Sequence, residues 1–97
     1  MVTYITLLNF TEQGIKNVKQ TVQRAKGFEE LVNKHGGTTK SLYWTQGSYD
    51  LVATIEAPNE ESGLAMLLTL GSLGNVRSQT LRAFTAEEMG RVLGQMK

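Results

Sequence analysis

Hydrophobic and polar positions alternate with period two along Val2-Thr-Tyr-Ile-Thr-Leu-Leu-Asn-Phe10. The stretch is rich in β-branched and aromatic residues, which predicts a strand. The period then changes. Ile15, Val18, Val22, Ala25 and Phe28 recur at three- and four-residue intervals, and Leu31 and Val32 continue the stripe. This predicts an amphipathic helix behind a Thr11 N-cap. Such a helix is long for so small a domain, and Gly27 within it costs about 1 kcal/mol relative to alanine. A break is therefore expected between Asn17 and Gly27. The helix should end near His35, where Gly36-Gly37 suit the positive φ of a C-cap.

Thr38 to Gln46 and Tyr49 to Ala57 return to strand patterning, with Gly47-Ser48 between them as a tight hairpin turn. Pro58 stops the sheet because it has no N–H to donate. Asn59 caps a second helix that has Glu60 and Glu61 in its first turn, the favourable sign at that end of the helix dipole. Leu64, Leu67, Leu68 and Leu70 form its apolar side, and Gly71 and Gly74 release the chain into a strand from Val76 to Phe84. Thr85 and Glu88 have the spacing of a capping box, opening a last helix with Met89, Val92, Leu93 and Met96 on one stripe.

The order is βαββαβ plus a C-terminal helix, in a single domain over residues 1–97. Right-handed crossovers turn that order into a ferredoxin-like α+β fold, an antiparallel sheet with both crossover helices on one face. Ile5 and Leu7, then Leu51, Ala53 and Ile55, then Leu81 and Ala83 are the cleanly apolar sets expected to meet the helices. The other face would carry Tyr4, Thr6, Leu8 and Phe10, Asp50, Val52 and Thr54, and Ser78, Thr80, Arg82 and Phe84. That mixed set is too apolar to sit comfortably in water, so two sheets packed face to face are expected, as in a dimeric α/β barrel. A chain of this length buries only about two-thirds of its unfolded surface, which also favours a homodimer or a higher homo-oligomer.

Composition narrows the partners. Ten basic and nine acidic residues give a net charge of +1, and the basic ones are scattered, so no nucleic-acid partner is expected. The absence of cysteine excludes disulfides, thiolate metal sites and a thiol nucleophile. The longest apolar run, Leu64 to Leu70, is far short of the roughly 20 residues that span a bilayer, and no targeting pattern precedes it. The expectation is a cytoplasmic protein with no membrane partner.

Candidate chemistry is sparse. His35 falls at a helix end, where the dipole and the last carbonyls account for it. One histidine and acids paired at helix starts give no metal-ligand spacing, so neither a metal nor a cofactor is expected. Gly71-Ser-Leu-Gly74 leads from helix to strand, the reverse of a phosphate loop. The densest cluster is Tyr43-Trp44 followed by Gly47-Ser48-Tyr49-Asp50. A carboxylate opening a strand beside aromatics would serve as a general base, cap the turn, or pair with Arg77 or Arg82 of a partner chain. The candidate ligand-binding residues are Asp50, Tyr49, Trp44, Tyr4 and Arg82.

The stretch Leu42-Tyr-Trp-Thr-Gln-Gly-Ser-Tyr-Asp-Leu-Val-Ala-Thr-Ile-Glu-Ala-Pro58, followed by Leu73-Gly-Asn-Val-Arg-Ser-Gln-Thr-Leu-Arg-Ala-Phe84, resembles the GYD-domain family. Gly47, Tyr49 and Asp50 match its Gly, Tyr, Asp motif, with Ser48 inserted. Thr11-Glu-Gln-Gly-Ile-Lys-Asn17 matches its pattern after the first strand, and the resemblance extends over essentially the whole chain. It implies a ferredoxin-like, dimeric α/β-barrel fold and carries over no catalytic residue; Gly74, Asn75 and Arg77 are further motif positions. Three functions follow as expectations: a module that binds a small organic ligand, a cofactor-independent enzyme (oxygenase, isomerase or lyase), and a structural or assembly role.

Overall fold

The computed structural model describes residues 1–97. Strand β1 covers Val2–Phe10, and a short helix α1 covers Glu12–Lys16. A 3-10 turn at Val18–Gln20 leads into α2, Thr21–Lys34. Strands β2 (Thr38–Trp44) and β3 (Leu51–Ala57), helix α3 (Glu60–Ser72), strand β4 (Val76–Ala83) and helix α4 (Ala86–Gly94) complete the chain. The sheet order is β2-β3-β1-β4 with every neighbouring pair antiparallel, the ferredoxin-like arrangement.

The caps act as the sequence predicts. Thr11, Asn59 and Thr85 each accept a backbone N–H from the third residue beyond, and the Thr85 N–H donates back to Glu88 Oε1 at 2.9 Å. That backbone bond, helped by the Thr85 hydroxyl, holds the Glu88 carboxyl below its ordinary pKa. The long first helical region breaks at Asn17, within the expected interval. Arg24 spans the break, donating to the carbonyls of Asn17 at 2.8 Å and Gly14 at 3.2 Å, so two acceptors freed by the interruption are satisfied. His35 closes α2 through its Nδ1–H to the Leu31 carbonyl at 3.0 Å.

Two expectations are corrected. The β2–β3 connection is not a two-residue turn: β2 ends at Trp44 and β3 begins at Leu51. Thr45–Asp50 forms a longer loop closed by the Thr45 N–H to the Asp50 carbonyl at 2.8 Å. The faces of β1 and β4 are also reversed. Leu8 and Thr6 are buried, and Leu8 pairs with buried Leu51, Thr6 with Ala53 and Tyr4 with Ile55. Directly opposed residues share a face, so Val2, Tyr4, Thr6 and Leu8 lie under the helices, and the β4 partners Ser78, Thr80 and Arg82 lie beside them. The assignment of β3 stands, with Leu51, Ala53, Ile55 and Ala57 all buried.

The reason is that β1 is apolar at both parities, so alternation alone does not orient it. The bulkier even set takes the covered side. Its polar members are accommodated there: fully buried Thr6 hydrogen-bonds Thr80 at 2.9 Å. Arg82 lies 4.5 Å from the Phe84 ring centroid, 5.9 Å from that of Tyr4, and 3.6 Å from Glu60 at the start of α3. The core is Phe28 and Val32 from α2, Ala53, Ile55 and Ala57 from β3, and Met66 from α3. The uncovered face carries Ile5 and Leu7 of β1, Tyr43 of β2, Val52 of β3 and Leu81 of β4. Helix α4 buries none of its residues, and its stripe of Met89, Val92, Leu93 and Met96 is exposed. No helix is long and apolar enough to cross a membrane.

Candidate functional site

The residues singled out from the sequence fall into three separate places. Asp50 and Tyr49 share the Thr45–Asp50 loop. Asp50 Oδ2 accepts the Phe10 N–H at 2.9 Å, and the Asp50 N–H donates to the Leu8 carbonyl at 2.8 Å. Its carboxylate therefore ties the loop to the end of β1. Tyr49 donates its hydroxyl to Gln79 Oε1 at 2.9 Å, reaching over β1 to β4 on the uncovered face. There it borders an open, mostly polar hollow shared with Asn9, Ser48 and Arg77. Trp44 lies on the helix side, its indole N–H donating to Thr21 Oγ1 at 3.0 Å at the start of α2. Tyr4 and Arg82 meet each other under α3, where a Cβ on Gly63 would come within 2.5 Å of the Tyr4 ring. No three of the histidine, aspartate and glutamate side chains converge as a metal site would require.

An apolar pocket lies elsewhere, between the sheet and the helices. Its volume is about 310 Å³, and most of its lining is hydrophobic, including Leu8, Phe10, Phe28, Leu42, Leu51 and Leu70. The space exists because α2 and β3 present small residues to it, Ala25 and Gly27 from the helix and Ala53 from the strand. Packing to ordinary density would need larger side chains at those points.

Polar groups gather at one end of this pocket: Thr21 and Arg24 from α2, and Asn75 from the loop before β4. The packing of α1 brings them together. Gly14 of α1 accepts from Arg24 and sits so tightly on the Asn75 backbone that a Cβ there would clash with the Asn75 carbonyl. No carboxylate lies within ion-pair distance of Arg24, whose charge is left to the pocket and to solvent. Apart from Arg24, no titratable side chain lines the space.

Arg24 was not among the residues singled out from the sequence. Its signal lay in the register of α2: Thr21, Arg24, Ala25 and Phe28 stand at i, i+3, i+4 and i+7, so a cation stands in the inward stripe. A basic residue in that position reads as a snorkelling neighbour of the core until the cavity beside it is seen.

Known proteins resemble this chain in sequence and in fold. A glutamine synthetase and cystathionine beta-lyase binding protein of Thermus thermophilus is 29% identical over 90 residues, 92% of this chain and 95% of that protein. The solved structure of TTHA0845, also from Thermus thermophilus, aligns with a TM-score of 0.58 at 25% identity, covering 89% of this chain and 96% of that one. Protein YJCS aligns with a TM-score of 0.59 at 19% identity, covering 88% of this chain and 99% of that one, a likeness of fold alone. The family model of the GYD domain matches residues 4–93, nearly the full length, and the chain belongs to the GYD domain family.

Proposed function

We propose that this chain is a binding protein that holds a small organic ligand in the pocket between α2 and the sheet, and that it works as a homodimer paired through the uncovered sheet face. The observation that carries the reading is the pocket itself. A space of about 310 Å³ with apolar walls and a few polar groups at one end has the make-up of a small-molecule site. The lining offers no histidine, carboxylate or other general acid or base, so it favours binding over turnover. Asp50 supports the same choice, because one of its carboxylate oxygens already accepts a backbone N–H.

The neutral fluorescent probe N-phenyl-1-naphthylamine tests the pocket. It should brighten and saturate at one molecule per chain, and Ala25→Leu, which grows into the cavity, should abolish the response while the melting temperature holds or rises. An unchanged response in Ala25→Leu would place the probe elsewhere and remove the reading.

A second reading rests on α4, whose exposed apolar stripe suits a protein partner. The Thermus relative is described as binding glutamine synthetase and cystathionine beta-lyase, two enzymes. If this chain shares that habit, purified glutamine synthetase should bind it on a biosensor and should fail to bind Val92→Glu. Equal binding by the variant would exonerate α4.

A further inference from the structure

We infer that the ligand of the α2–sheet pocket is an organic anion, an apolar body ending in a carboxylate that Arg24, Thr21 and Asn75 receive together; this rests on the pocket reading above. The inference comes from an inventory of hydrogen-bonding capacity at the polar end. Arg24 carries five N–H donors and spends one each on the Asn17 and Gly14 carbonyls, at 2.8 Å and 3.2 Å. The remaining N–H groups have no protein acceptor. Thr21 Oγ1 accepts the Trp44 indole N–H at 3.0 Å, which leaves its own O–H to be given away. Asn75 Oδ1 accepts Gln13 Nε2 at 2.9 Å. The orientation of that pair is set by its surroundings: Gln13 Nε2 also donates to the Leu73 carbonyl at 3.1 Å, so the atom facing it on Asn75 is the oxygen and the free end is the amide NH₂.

Arg24 has no acceptor, Thr21 Oγ1 and Asn75 Oδ1 each already accept one hydrogen bond, and each of the three groups has a donor to spare. A site with unspent donors on all three groups, and whose only charge is positive, repels cations and favours a ligand that brings acceptors. A carboxylate fits it. Two oxygens offer about four acceptor positions, and a guanidinium addresses two of them at once. The apolar wall beside Arg24 strengthens the attraction relative to open water. The fourth polar residue of the lining, Thr69, spends its hydroxyl on the Ala65 carbonyl at 2.8 Å and adds no acceptor demand. At about 310 Å³ the pocket lies at the low end of the range for drug-sized ligands, which suits a body of roughly 10–20 heavy atoms.

The test uses three probes of equal carbon number against the intact chain: octanoate, octanamide and octylamine, each displacing N-phenyl-1-naphthylamine. Octanoate should bind at least about tenfold tighter than the other two, the usual scale of a charge-assisted bidentate contact. In Arg24→Gln that preference should vanish while octanamide keeps its affinity, which also shows that the pocket remains folded. In Arg24→Lys, charge without the fork, an intermediate preference is expected. Equal binding of the three probes, failure of octanoate to displace a bound dye, or a preference that survives in Arg24→Gln overturns the anion assignment and leaves the pocket reading standing. Failure of the dye itself to bind overturns both.

Discussion

The two faces of the sheet are made from the same four strands and have different chemistry. The covered face holds Ile55, Ala53 and Ala57 without solvent contact, and it also tolerates Thr6, Thr80 and Arg82. The uncovered face carries Ile5, Leu7, Val52 and Leu81 among threonines, Gln79 and Arg77. Polarity itself does not separate them; cover by the helices does. On the covered side Thr6 and Thr80 pair hydroxyl to hydroxyl and Arg82 meets ring faces and Glu60, while the buried hydroxyl of Thr39, opposite Ile55, has no hydrogen-bond partner. On the uncovered side apolar side chains remain without cover, and that is the physical motive for the proposed second copy.

The largest expected effect lies on the covered face. Ile55→Ala should cost about 2–5 kcal/mol in a urea unfolding curve, because the site is fully buried and the cavity collapses only in part. A loss below ~1 kcal/mol would mean that the core is looser than its packing indicates. On the uncovered face, Val52→Arg should act on association before it acts on the fold. Light scattering should give at least twice the 10.7 kDa chain mass for the parent and a monomer for the variant, with about the same monomer fold by circular dichroism. A parent that stays monomeric at micromolar concentration would end the paired-sheet reading.

The loop that links the faces comes next in size. Asp50→Ala leaves the Phe10 N–H without its acceptor and should cost about 1–3 kcal/mol. Asp50→Asn retains an acceptor oxygen and should cost less. If both are silent, Asp50 does not fasten the loop. The smallest effect concerns pH. Glu88 has a folded-state pKa below its ordinary value of 4.5, so its contribution to the α4 cap is complete above that value and is lost as pH falls through the lower folded value. The Thr85 amide proton followed by NMR should titrate below pH 4.5; a midpoint at or above it would contradict the capping geometry.

These contrasts also show how far the chain can be read from its sequence. Helix starts were legible, since Thr11, Asn59 and Thr85 act on N–H groups three residues away, as was the break near Asn17. The face of β3 was legible because only one parity is fully apolar. The face of β1 was not, because Ile5 and Leu7 rival Tyr4 and Leu8, and the decision falls to pairing with β3, which is remote in the chain. The pocket was illegible for a related reason. It arises where Ala25, Gly27 and Ala53 happen to oppose one another, and no local pattern records that coincidence. Tyr49 and Asp50 were found, but their roles turn on bonds to Gln79 and Phe10 that only the folded chain supplies.

The attachment of α1 gives the pocket unequal sides. Thr11 bonds the Asn75 and Gly74 carbonyls at 3.1 Å and 2.5 Å, and Gln13 bonds that of Leu73, so α1 and the 73–75 loop form one stiff piece, like the spine of a book. The opposite edge, where α2 faces α3, is lined by apolar side chains, Phe28, Leu31 and Leu70 among them. Packed apolar surfaces part and close again without a hydrogen bond being broken, and bonded loops do not. Entry of the proposed ligand is therefore expected at the fore-edge. Its rate should follow how often two helices separate, and it should be slowed by adding bulk or a cross-link along that seam, with the polar end left untouched.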